Sequence, residues 1–115
     1  MKLTNSYFPA QTGYEIPNIT IGELLSTIAA ANSDSIAMVD ILNTGECGQS
    51  WTYKELLAES ERLAFALNTR FKMGERIVVW APNIPEWIFM EYACALSGLT
   101  LVPANPSFQA NELRY

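Results

Sequence analysis

The spacing of apolar residues along the chain changes period several times, and each change marks an element. Residues 1–18 have no period, because Pro9, Gly13 and Pro17 interrupt it, and they read as an irregular lead-in. A helix signal follows. Thr20 stands three residues before Glu23, the spacing at which cap and glutamate satisfy each other's backbone donors, with Ile19 and Leu24 placed as a hydrophobic staple. Leu24, Leu25 and Ile28 carry a helix to about Ala31, and Asn32-Ser33-Asp34-Ser35 ends it. Ile36 to Leu42 predicts a strand, and Asn43 to Gly48 a turn. The capping device returns at Thr52 and Glu55, stapled by Trp51 and Leu56. Leu56, Leu63, Ala64 and Leu67 then line one face of a helix to about Arg70, with Lys54, Glu55, Glu59, Glu61 and Arg62 mostly off it.

The second half is more apolar. Gly74 stops the connection, and Arg76-Ile77-Val78-Val79-Trp80 is an apolar run without alternation, which predicts a strand covered on both faces, as in a parallel sheet. Asn83 and Glu86 repeat the capping spacing, and Pro85 is tolerated in a first turn because its missing N–H has no partner there. The helix from Ile84 to Ser97 is apolar almost all round, so deep burial is expected, with Ala93, Ala95, Ser97 and Gly98 permitting close approach. Gly98 predicts the helix stop. Leu99 to Val102 reads as the next strand, closing a right-handed parallel βαβ unit. Val102 to Ser107 then leads toward another helix start, and the pattern runs on to Tyr115. The expectation is therefore an α/β chain that is part of a larger fold.

Composition narrows the class. Half of the 115 residues are apolar and 17% are charged, which is globular rather than disordered composition. The net charge is -5, and the seven Lys and Arg residues are scattered, so no basic patch offers phosphate contacts to a nucleic acid. No apolar tract reaches the roughly 20 residues a transmembrane helix needs. The polar Met1 to Ser6 segment lacks a secretory signal. Cys47 and Cys94 are the only cysteines and are expected as free thiols in a reducing compartment, the cytoplasm or an organelle lumen.

The chemistry is mostly absence. The chain has no histidine, which removes Ser-His and Cys-His nucleophile pairs and most zinc sites. It has no C-x-x-C, no G-x-G-x-x-G and no G-x-x-x-x-G-K-[ST], so a dinucleotide-binding fold is the weakest alternative. Gly45 and Gly48 make a turn rather than a phosphate cradle, and no carboxylate cluster suits magnesium. Two segments stand where open α/β sheets bind ligands, at carboxyl ends of parallel strands: Ala81-Pro82-Asn83 and Val102 to Ser107. For both, caps and loop-shaping prolines are the blander account. No catalytic, cofactor-binding or metal-ligating residue is assigned.

Three ordered blocks resemble one family. Trp51-Thr52-Tyr53-Lys54-Glu55-Leu56 is similar to the Thr-Tyr-x-Glu-Leu motif near the start of AMP-forming acyl-CoA synthetases, adenylation domains and firefly luciferase. Gly74 to Asn83, with Pro85-Glu86-Trp87, resembles the segment that follows. Val102-Pro103-Ala104-Asn105-Pro106 and Glu112 to Tyr115 resemble the third block, in wording most like the medium- and long-chain fatty-acid branch. The similarity runs from about Ser6 to the end. It implies a partial N-terminal AMP-binding domain over 19–115 and a parent enzyme that joins a fatty acid to coenzyme A, using ATP and Mg²⁺.

The family's phosphate loop, its later Thr-Glu motif, its ribose aspartate and its catalytic lysine motif are all missing here. Lys2, Lys54 and Lys72 match no such lysine. The 115 residues alone are therefore expected to be non-catalytic scaffold, to bind neither ATP, CoA nor Mg²⁺, to meet the fatty acid only through the remainder of the domain, and to self-associate. The rival expectations are another adenylate-forming ligase, such as an aryl-CoA ligase, and a stand-alone interaction module using the 84–97 helix.

Overall fold

The computed structural model describes residues 8, 9, 12, 13 and 15–114. Ser6 and Tyr115, the two ends of the family resemblance, lie outside the described residues. Those of the lead-in that are described form neither helix nor strand, and Phe8 and Ile16 stand in the open.

Helix α1 runs Ile21–Ala31 and helix α2 Tyr53–Asn68, each opened by the expected reciprocal cap. The Glu23 carboxylate accepts from the Thr20 N–H at 2.7 Å, while the Thr20 hydroxyl accepts from the Glu23 N–H. Thr52 and Glu55 repeat this, with the carboxylate 2.8 Å from the Thr52 N–H. Two of the orphan donors that open each helix are thereby satisfied without tertiary help. The α2 face is buried at Leu56, Ser60, Ala64 and Leu67, with Leu63 half-buried. Glu59 and Arg62 pair at 2.6 Å on the outside, an exposed contact worth at most a fraction of a kcal/mol, about 0.5.

Strand β1 (Ile36–Ile41) does not stand alone. It pairs antiparallel with β2 (Cys47–Thr52), so the expected turn over 43–48 is shorter and a hairpin takes its place. Cys-Gly-Gln-Ser carries little strand propensity of its own; the ladder to β1 supplies what the local sequence lacks. Gly45, at φ +84, forms the turn.

Strand β3 (Arg76–Trp80) lies parallel to β4 (Thr100–Ala104), and α3 (Pro85–Ser97) is the crossover between them. The start of the unit is set by two glycines in left-handed conformation. Gly74 (φ +86) follows α2 and Gly98 (φ +66) ends α3, and the Gly74 N–H donates to the Gly98 carbonyl at 2.8 Å. Thr100 N–H then donates to Glu75 at 2.8 Å, the first rung of the ladder.

Two expectations for this half are corrected. The third cap is absent: Ile84, extended at φ -129 and ψ 156, is the N-cap, and no side chain caps it. Proline at the first helical position drives its predecessor out of the helical region, which leaves Asn83 one residue too early to reach the first-turn donors. Strand β3 is also not covered on both faces. Ile77 and Val79 are half-buried, whereas Arg76, Val78 and Trp80 are exposed, because the helices cover one face only.

The core sits between α2 and α3. Ala64 and Leu67 meet Ala93, Cys94 and Leu99, with Ile77 and Leu101 of the sheet against them. Small residues let the two helices approach closely. Ala93 is 0% exposed, and Ser97 donates its hydroxyl to the Ala64 carbonyl across the interface at 3.3 Å. Ser60, also fully buried, bonds back to the Leu56 carbonyl at 2.7 Å. No buried side-chain polar atom among the described residues lacks a partner, which is how serine is accommodated there without a desolvation penalty. Only the carboxyl half of α3 is deeply buried. Trp87 to Met90 are half-buried, short of the burial expected for the whole helix.

Candidate functional site

The sheet brings the two strand-end segments together. Trp80 closes β3 and Ala104 closes β4 in register with it. The Trp80 indole N–H donates to the Asn105 carbonyl at 3.1 Å, so the loop after one strand is tied to the loop after the other. Asn105 also organises its own turn: its side-chain oxygen accepts from the Ser107 N–H at 2.9 Å, and its carbonyl accepts from Phe108. Asn105, not Ser107, is therefore the capping residue, and the expected helix reduces to one 3₁₀ turn, Glu112–Arg114. Its Glu112 carboxylate accepts from the Gln109 N–H at 2.6 Å.

Beside the first loop, the hairpin and the start of α3 enclose a groove of about 340 Å³. Met38, Val39 and Ile41 form one wall, and Ile84, Trp87 and Ile88 the other. Trp51 meets Phe89 edge to face at 5.5 Å and fixes the hairpin to α3. A neighbouring hollow of about 410 Å³ adds Asp40, Asn43, Gln49 and Glu86. Sequence patterning did not foresee this groove, because one wall belongs to the hairpin whose second strand carries no strong strand signal.

The charge of the place limits its chemistry. Neither hollow is lined by Lys or Arg, and the second holds two carboxylates. A polyphosphate set there would face repulsion and no cation to offset it. Arg76 lies at the opposite end of β3. Among the described residues no three His, Cys, Asp or Glu side chains come together as a metal site, so the donor set does not fit Mg²⁺. Titration behaviour adds no acid–base candidate. The Thr20 N–H, then its hydroxyl, hold the Glu23 carboxyl below its usual value, and Thr52 does the same for Glu55; both carboxylates are already used as caps. Burial pushes the Cys94 thiol up and away from reactivity, whereas Cys47 is exposed. Both cysteines are free thiols, as expected. No helix among the described residues is long and apolar enough to cross a membrane.

Comparison with known proteins gives these observations a setting. The family model for the AMP-binding enzyme matches residues 25–115. The mitochondrial medium-chain acyl-CoA ligase ACSF2 of Danio rerio is 31% identical over 114 residues, which cover 98% of this chain and 18% of that protein. The solved structure of a putative long-chain-fatty-acid CoA ligase from Rhodopseudomonas palustris superimposes with a TM-score of 0.71 at 29% identity, over 83% of this chain and 23% of that one. The N-terminal subdomain of Klebsiella oxytoca NpsA, solved with anthranilyl-AMSN, shares the fold at a TM-score of 0.73 and 21% identity, over 83% and 24% of the two chains. The chain thus spans 18% of the length of the ACSF2 relative.

Proposed function

Because the chain belongs to the AMP-binding enzyme family, we propose that it is the N-terminal segment of an AMP-forming fatty-acid–CoA ligase acting on medium-chain acids. One observation carries this: a match to a medium-chain acyl-CoA ligase that runs through 98% of the chain. In the proposed reaction the fatty carboxylate oxygen attacks the α-phosphorus of ATP, forming acyl-AMP and expelling pyrophosphate. The thiol sulfur of coenzyme A then attacks the acyl carbon, AMP leaves with the electron pair of the broken C–O bond, and the thiol proton is released. The first step is needed because AMP is a far better leaving group than oxide.

In this reading residues 1–18 are a lead-in and 19–115 part of the AMP-binding domain, and the segment contributes scaffold. It positions strand-end loops and helix starts but supplies no catalytic, cofactor-binding or metal-ligating residue. The absence of cations at the strand ends supports that division of labour. The parent works in the cytoplasm or in an organelle, the latter in keeping with relatives named as mitochondrial. The segment in isolation associates with itself, since both outer edges of its parallel sheet are unpaired among the described residues.

The test is ATP–pyrophosphate exchange with decanoate, run on the protein that carries this segment and on the 115 residues alone. Exchange by the former and a blank from the latter is expected. Exchange by the short chain would overturn the scaffold role, and a preference for benzoate over decanoate would overturn the substrate class.

A further inference from the structure

The two outer edges of the β3–β4 sheet are not equivalent. The Thr100 N–H donates to Glu75, and Arg76 stands opposite Thr100. In a parallel ladder alternate residues turn their N–H and C=O to the same side. Thr100, Val102 and Ala104 therefore face β3, and Leu101 and Pro103 face outward. Pro103 has no N–H, so the outer edge of β4 is left with a single strand donor, that of Leu101. On β3 the inward residues are Ile77 and Val79, and the outward ones are Arg76, Val78 and Trp80. None is proline, and no backbone bond from any of the three to another described element exists. Val78, in the middle, is 59% exposed.

We propose that a second copy of this chain pairs with the outer edge of β3, antiparallel and about a two-fold axis through Val78. This rests on the segment being open at its sheet edges, as argued above. The arrangement is self-complementary. Val78 meets Val78 of the second copy and exchanges both backbone bonds with it, and Arg76 falls opposite Trp80 of the second copy. A two-fold centred there keeps the two Arg76 charges apart and sets each cation against an aromatic ring. That ring is already fixed through its bond to Asn105.

Sedimentation of the 115-residue chain at high micromolar concentration tests this, with circular dichroism as the check on folding. The chain itself is expected to be a dimer. Val78→Lys or Val78→Glu places like charges face to face at the axis and weakens association by about tenfold or more, while an equimolar mixture of the two restores a dimer. Val78→Pro removes an outward N–H and abolishes pairing; Leu101→Pro, on the β4 edge, leaves it unchanged. A monomeric parent chain, a dimeric Val78→Lys, a Lys and Glu mixture that stays monomeric, or loss of pairing by Leu101→Pro would each overturn the proposal. Association that persists in Val78→Lys rejects this edge while leaving the reading of the chain as an open ligase segment intact.

Discussion

Replacing Gly98 by alanine probes the joint on which the parallel unit is built. Its φ of +66 is one that an L side chain enters at a cost of about 1–2 kcal/mol. A Cβ there would also come within 2.9 Å of the Met73 Cγ. Met73 is 84% exposed and can swing away, so the backbone contribution dominates and the contact adds about 0.5 kcal/mol or less. Gly74 provides the control. Its φ is +86, and a Cβ on it meets nothing within 4 Å. Gly74→Ala and Gly98→Ala are therefore expected to destabilise by nearly the same amount, about 1–2 kcal/mol, because each strains one end of the same Gly74–Gly98 bond. Urea unfolding followed by tryptophan fluorescence measures this, and in a melt it corresponds to a fall of about 3–8 °C. The reasoning fails if Gly98→Ala is neutral. It fails equally if Met73→Ala rescues the whole loss, since the cause would then be the contact and not the backbone.

The capping boxes predict an acid limb. Glu23 and Glu55 titrate in the folded chain below their ordinary 4.5, so their contribution is complete above that value and is lost as pH falls through the lowered folded value. Thr52→Ala, costing about 1 kcal/mol at neutral pH, should flatten the acid limb of a stability–pH curve; an unchanged limb would contradict the assignment. Thiol titration with a chromogenic disulfide should find Cys47 at once and Cys94 only after unfolding, and prompt reaction of both would contradict the packing. Ala93→Leu should cost about 1–3 kcal/mol by forcing α2 and α3 apart, whereas Asn83→Ala should stay within about 0.5 kcal/mol, because Asn83 caps nothing. Equilibrium unfolding of the two variants separates these outcomes.

Features whose cause lies within a few residues were legible in the sequence. Thr20 with Glu23, Thr52 with Glu55 and the left-handed Gly98 follow from neighbours three residues apart or from one backbone angle, and the structure keeps all of them. The βαβ order of Arg76 to Val102 was equally readable, because apolar run, buried helix and apolar run leave few other arrangements. What lay beyond reach depended on partners distant in the chain. Strand β2 exists because β1 offers a ladder to an otherwise weak segment. Asn83 lost its cap because Pro85 moved the helix start by one residue. Ser60 became core because α3 closed over it, and its hydroxyl could be satisfied from its own helix. The side of β3 that stays open was decided by the phase of its bonds to β4, since alternate residues must turn opposite ways and only pairing says which. Local chemistry thus determined where the elements begin and end, and tertiary contact decided what each of their faces meets.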